Sequence, residues 1–187
     1  MLQPQRAGDE PGAVSADEAA NGAPSAAVVR DYAYYRRVFA GRRMPFAYLD
    51  LDLLDENIQQ VVARAGEKRI RVASKSVRCV TALKRILAAD ERFIGVMCLT
   101  AREAVYLTDQ GIRDVLIGYP CFAEADIADV ARATQAGRQI TLMVDDLMQV
   151  ERIEAVAREH GVRLPLCLDV DLSLDLPGLH FGVWRSP

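Results

Sequence analysis

The sequence is poor in cysteine, poorer in lysine, and has no long apolar run. Its four cysteines, Cys79, Cys98, Cys121 and Cys167, stand far apart with no Cys-x-x-Cys pair. That spacing argues against a disulfide framework or a zinc site and for reduced, mostly buried thiols. No apolar stretch approaches the roughly 18 residues of a membrane-spanning helix. The N-terminus has no basic-then-apolar export signal, so a cytoplasmic location is expected. A composition of 51% hydrophobic and 26% charged residues excludes a disordered or collagen-like chain and fits a globular one.

Charge of one sign is also missing from the body of the chain. The net charge of -3 arises in residues 1–27, where Asp9, Glu10, Asp17 and Glu18 face only Arg6. The rest is balanced, which offers no basic face to nucleic acid or an anionic membrane. Among 23 basic residues, only Lys68, Lys75 and Lys84 are lysine. Arginine cannot lose its proton in a protein, whereas lysine can, and can then attack a carbonyl.

Residues 1–27 carry few large apolar side chains and predict a disordered tail. Residues 28–40 follow as a helix with Val28, Tyr32, Tyr35, Val38 and Phe39 on one face. From Pro45 onward, apolar strand-like runs appear at 46–49, 70–73, 93–98, 115–118, 140–144 and 164–170. Helical patterns lie between them, with Asp52, Thr100 and Asp145 or Asp146 as candidate N-caps and Gly66, Gly111 and Gly161 as stops. Thr100 with Glu103 forms a capping-box pattern. Repeated short apolar strands joined by helices predict a parallel α/β sheet.

Both an open doubly wound sheet and a closed (β/α)8 barrel share this rhythm. Only about five repeating strands fit, whereas a full barrel typically takes about 250 residues. The first repeated strand runs into SKSVRC rather than a G-x-G-x-x-G phosphate fingerprint, which weakens the dinucleotide-sheet reading. The expectation is a partial (β/α)8 TIM-type barrel with about five of its eight repeating strands.

Lys75 stands where the strand at 70–73 gives way to a helix predicted to begin near Val77. Barrel active sites lie at that carboxyl end of the strands. Arg69, Arg71 and Arg78 are within six residues of it. Nearby cations disfavour an ammonium ion, and a partly desolvated lysine flanked by cations suits a Schiff-base nucleophile. From the residues alone, a surface lysine in a strand–helix loop, paired with a neighbouring carboxylate, is the favoured reading, because strand-end lysines are common.

The run P-F-A-Y-L-D-L-D-L-L-D-E-N-I followed by R-I-R-V-A-S-K resembles the entry to the fold-type III pyridoxal 5'-phosphate (PLP) enzymes. These share the alanine racemase N-terminal barrel and include D-threonine aldolase and D-serine dehydratase. Arg71, Lys75 and Arg78 resemble the R-x-x-x-K-x-x-K spacing of the D-threonine aldolase branch. GVMCLTAREAVYL, DVLIGYP, ITLMVDD and CLDVDLSLDLPGLHFGVWRSP follow in collinear order, resembling the bacterial amino acid deaminase/aldolase group. The resemblance covers residues 28–187 as the N-terminal part of such a barrel, the remaining strands and a C-terminal β-domain being absent.

The resemblance implies that Lys75 anchors PLP covalently and, once displaced by substrate, transfers protons. It implies a lyase acting on D-hydroxy amino acids, by D-threonine aldol cleavage or D-serine deamination. An amino acid racemase and a non-catalytic PLP-binding protein are the alternatives. It further implies a small-molecule amino acid substrate, a homodimeric full-length protein, and a divalent metal held by the absent C-terminal domain. In place of the D-x-G-x-x-R-x-G motif of the family's fifth strand, Asp171 matches the Asp and His180 stands near the Arg. His180 is thus a candidate for carboxylate contact or acid/base work. Asp169 and Asp171 are expected on one strand face, where they could orient His180. Arg71, Tyr119 and Asp171 are candidate cofactor contacts, and Arg185 and Ser186 are candidates for a substrate anion. His160 is expected to complement a helix C-terminus.

Overall fold

Strand order decides between the two architectures. The protein is represented by a computed structural model that describes residues 29–182. The chain divides into two units at Tyr48 and Leu49, and the predicted tail at 1–27 lies outside the described residues.

In the first unit, α1 (Tyr32–Val38) starts at Asp31, whose carboxylate accepts the Tyr34 backbone N–H at 2.8 Å. The predicted strand at 46–49 does not form. Phe46 and Tyr48 instead pack their rings on Phe39, with centroids at 4.9 and 4.5 Å, and Tyr48 also meets Tyr35 at 5.2 Å. Aromatic stacking against α1 thus replaces ladder pairing for this segment.

The second unit opens with α2 (Leu51–Ala65). Asp50 rather than Asp52 is its N-cap, accepting from the backbone N–H groups of Asp52 and Leu53 at 3.1 and 3.2 Å. Asp52 already lies inside the first turn and cannot adopt the extended cap geometry. At the far end, Arg92 donates to the Gly66 and Val62 carbonyl oxygens at 3.0 and 3.2 Å. The same guanidinium holds the Asp90 carboxyl down at about 2.

The strands are β1 (Ile70–Ala73), β2 (Phe93–Cys98), β3 (Asp114–Ile117), β4 (Gln139–Val144) and β5 (Leu166–Leu168). Between them run α3 (Ser74–Val77), α4 (Val80–Ala89), α5 (Ala101–Asp109), α6 (Glu124–Gln135) and α7 (Leu147–Glu159). The five strands pair in parallel in the order β1-β2-β3-β4-β5. Right-handed crossovers between sequential neighbours place all the connecting helices on one face. A doubly wound sheet would reverse its order and use both faces. Five parallel strands with one-sided helices are the partial barrel that the sequence predicts.

Alternate strand residues meet different surroundings. Val96, Val115, Ile117, Ile140, Leu142 and Val144 face the helices and join one core with Leu83, Ala104, Leu107, Ile127, Val130 and Ile153. Among the described residues of this unit, no helix covers the opposite face, which is arranged in rows, as the inner layers of a barrel are. Arg71, Gly95 and Asp114 form one row, and Ala73, Met97, Leu116 and Thr141 the next toward the strand C-termini.

The predicted strand at 164–170 shrinks to Leu166–Leu168, because β5 has a partner on one side only. The ladder extends slightly through the Asp169 N–H, which donates to the Val144 carbonyl at 2.8 Å. Leu166 and Leu168 align with the helix-facing Leu142 and Val144 yet are 42% and 68% exposed. An unpaired apolar edge of this kind templates association. Expressed alone, residues 29–182 should therefore self-associate in size-exclusion chromatography. A monodisperse monomer at micromolar concentration would contradict this reading of the edge.

Candidate active site

Lys75 is exposed on the one-turn helix α3, immediately past the C-terminal end of β1. The helix expected to begin near Val77 is split: α3 carries the lysine, and α4 starts anew at Val80. The break falls at Arg78, which adopts the left-handed conformation with φ 49° and donates its N–H to the Ser74 carbonyl at 2.8 Å. A non-glycine residue in that region is strained. Its guanidinium Nε donates to the Lys75 carbonyl at 3.2 Å and so braces the same turn. On the other side, Ser74 is only 2% exposed, and its hydroxyl donates to Glu103 Oε1 at 2.6 Å.

Glu103 fulfils the predicted capping box in a modified form. Its N–H donates to Thr100 Oγ1 at 3.2 Å, and its Oε2 accepts the Leu99 N–H at 3.0 Å, one residue before the cap. Neighbouring Cys98 is 3% exposed. Burial, aided by the Glu103 carboxylate, pushes its thiol up to about 12.

Arg71 is engaged elsewhere on the bare face. Its Nη1 and Nη2 donate to the two Asp114 oxygens at 2.9 Å each, in a bidentate pair that spans β2. The crossing is possible because Gly95 lies beneath it. A Cβ there would overlap the Asp114 carbonyl oxygen and come within 2.9 Å of Arg71 Nη1. Arg71 thus lies in the row nearer the strand N-termini, with its charge answered by Asp114, while Lys75 stands at the opposite end of β1.

Tyr119 follows the end of β3, so it shares the C-terminal edge of the sheet with Lys75, two strands away. Between them, Met97 lies against Gly118, where a Cβ would stand 2.9 Å from Met97 Cγ. Asp169 and Asp171 fall beyond β5 rather than on a strand face. Asp171 Oδ1 accepts from the Ser173 N–H at 2.8 Å and from its hydroxyl at 2.5 Å. His180 lies on an antiparallel hairpin of β6 (Leu174–Leu176) and β7 (Leu179–Phe181). Its Nδ1 meets Asp175 Oδ1 across the ladder at 2.6 Å. The His160 carbonyl, at the C-cap of α7, accepts from Gln135 Nε2 at 2.6 Å. Arg185 and Ser186 lie outside the described residues.

Sequence reasoning did not foresee Ser74, Asp114, Asp175 or the hairpin itself. Pro177-Gly178 was the available signal for the hairpin, since that dipeptide marks a tight turn. Among the described residues, no three His, Cys, Asp or Glu gather as a metal site. A groove of about 390 Å³ lies between α2 and α4, lined by Asp55, Ile58, Val62, Arg85 and Ala89, and Lys75 is not part of it.

These contacts generate two predictions. Gly95→Ala should destabilise the protein by about 3 kcal/mol, the upper range of overpacking costs, in urea unfolding. A change under about 0.5 kcal/mol, as at an open surface site, would show that Arg71 does not cross β2 this way. A thiol reagent at pH 8 should modify exposed Cys79 and spare Cys98 until the protein unfolds. Fast labelling of Cys98 would show that the Cys98–Glu103 corner opens.

Comparison with known proteins agrees with this geometry. The model of the alanine racemase N-terminal domain matches residues 49–185. A 3-hydroxy-D-aspartate aldolase of Paracoccus denitrificans is 30% identical over 129 residues, which is 68% of this chain and 33% of that protein. D-threonine aldolase from Filomicrobium marinum superposes with a TM-score of 0.62 at 26% identity, over 69% of this chain and 35% of its own. D-threo-3-hydroxyaspartate dehydratase from Delftia sp. HT23 shares the fold, with a TM-score of 0.64 at 24% identity over 75% of this chain and 36% of its own. The chain thus spans about a third of the length of these relatives. A one-sided parallel sheet, a lysine turn at the end of its first strand and a family match over most of the sequence lead to one assignment: the chain belongs to the alanine racemase N-terminal domain family.

Proposed function

We propose that Lys75 is the covalent anchor for PLP in a lyase acting on D-configured hydroxy amino acids, and that this chain forms the first part of its barrel. The observation that carries the reading is the placement of Lys75. It is an exposed amine on a turn braced at both flanks, past the end of the first strand of a one-sided parallel sheet. The residues present fit that role: the backbone on either side of the lysine is held while its side chain is left accessible.

With PLP bound, Lys75 Nζ is the amine that would hold the cofactor through its aldehyde carbon, the aldehyde oxygen being lost as water. When bound, the pyridinium ring supplies an electron sink for the pair left on the substrate's α-carbon. Lys75 Nζ, when not bonded to the cofactor, would be placed to accept or return a proton. His180, held through Nδ1 by Asp175, is the proposed second group, contacting the substrate carboxylate or moving a proton. Tyr119 is proposed to pack beside the cofactor, and Asp171 to hold the segment that leads to the hairpin. The names of the aldolases similar to this chain support cleavage between the α- and β-carbons of a D-hydroxy amino acid. There the β-hydroxyl loses a proton, the Cα–Cβ bond breaks to release an aldehyde, and the α-carbon is reprotonated.

In the full-length protein, borohydride reduction should fix PLP on Lys75. Lys75→Ala should abolish the label, and Lys84→Ala should leave it intact. Retained label in Lys75→Ala would remove the central claim. The same protein should release glycine and acetaldehyde from D-threonine, or pyruvate and ammonia from D-serine. Interconversion of L- and D-alanine without cleavage would make it a racemase. Cofactor fixation without any turnover would make it a non-catalytic PLP carrier.

A further inference from the structure

The geometry points to Ser74 and Glu103 as positioning residues that fix the turn bearing Lys75 and so set how readily its amine captures a carbonyl. The inference rests on the reading of Lys75 as the covalent anchor. It concerns neither the lysine nor the cofactor's other contacts, but a clamp between two strand-end corners.

Ser74 directly precedes Lys75 and is buried, with its hydroxyl 2.6 Å from Glu103 Oε1 and the Met97 carbonyl oxygen 3.3 Å away as a second acceptor. Glu103 is itself held tightly: Oε2 accepts the Leu99 N–H, and its own N–H donates to Thr100 Oγ1. It stands in the first turn of α5, where the helix dipole stabilises a carboxylate. The clamp therefore ties the β1–α3 corner to the β2–α5 corner across 29 residues of sequence.

A second helix of the same sheet shows that capping alone does not require this arrangement. At the start of α7, Gln149 reaches back in the same way, and its Oε1 accepts the Asp145 N–H at 3.1 Å. Its other polar atom, Nε2, turns back on the Asp145 carboxylate beside its own cap. In α5 the equivalent side chain is a carboxylate, and its second oxygen is spent on the residue before Lys75. The added bond serves the lysine turn rather than the helix.

The two flanks are held by different means. Ser74 fixes the peptide before Lys75 through Glu103, and Arg78 fixes the carbonyl after it through Nε. What remains free is the lysine side chain, so its search volume is that of its own rotamers about a fixed origin. Holding an attacking group near its target is the source of large effective concentrations, and small misplacements forfeit them.

The test uses the full-length protein with PLP as probe and reads the rate of borohydride-fixed label at Lys75 by mass spectrometry. Ser74→Ala should slow capture by about ten- to a hundredfold. Glu103→Ala, which removes the acceptor, should slow it too. The double variant, Ser74→Ala with Glu103→Ala, should be no slower than the worse single one, because both changes break the same Ser74–Glu103 bond. Ser74→Thr, which keeps the hydroxyl, should recover most of the rate. Hydrogen exchange supplies a readout independent of the cofactor: the Arg78 amide, bonded to the Ser74 carbonyl, should exchange faster in Ser74→Ala, while β3 and β4 amides stay protected. Capture and exchange that match the parent protein, or single effects that multiply in the double variant, would overturn the clamp. Should Ser74→Ala lose β3 and β4 protection, Glu103→Ala decides by the same two measures. If the parent protein takes no label at Lys75, the anchor reading falls, while exchange at Arg78 still shows whether the clamp exists.

Discussion

Sequential parallel pairing confines the connecting helices to one face of the sheet, and this asymmetry governs the rest of the molecule. Each strand places alternate residues in two different media. In the helix-facing set, Val96, Val115, Ile140 and Leu142 are fully excluded from water and supply apolar burial that drives folding. The other set is freed from that duty, so it can carry an ion pair, a thioether and two glycines. The same constraint brings the strand C-termini to one edge, where the Lys75 turn and Tyr119 stand together.

The bare face is organised by polar chemistry suited to its partial burial. A bidentate guanidinium–carboxylate pair there is shielded enough to be strong, yet retains enough contact with water to avoid the full desolvation cost of a buried pair. Removing either partner leaves a half-buried charge without its counter-ion, which is worse than never having had the pair. Gly95 is therefore as much a part of the Arg71–Asp114 pair as the charged residues, since its missing side chain forms the passage.

The strands at 70–73 and 93–98 were legible to the residue because compact apolar runs were bounded by turn and charged residues. The run at 46–49 looked alike, but its aromatic rings found partners on α1, and short apolar runs do not reveal which surface they will meet. The position of Lys75 at a strand end could be read directly. Its bracing could not, because Ser74 and Glu103 are 29 residues apart and Arg71 and Asp114 are 43 apart. Such pairings exist only once register is set. For His180, comparison with a family motif drew attention to the residue and away from Pro177-Gly178, whose turn brings Asp175 opposite it.

Strand order also has a consequence for the chain during synthesis. Ile70 pairs with Phe93 and Asp114 with Gln139, so every partner lies within one strand–helix unit of its mate. The entropic cost of closing each unit is then nearly constant and does not grow as the polypeptide lengthens. A ribosome delivering the N-terminus first can complete the Ser74–Glu103 clamp before any residue of β3 has emerged. Arg71, by contrast, must wait one unit longer for Asp114. The lysine turn is thus finished early, and the charge beneath it is neutralised only as the third strand docks.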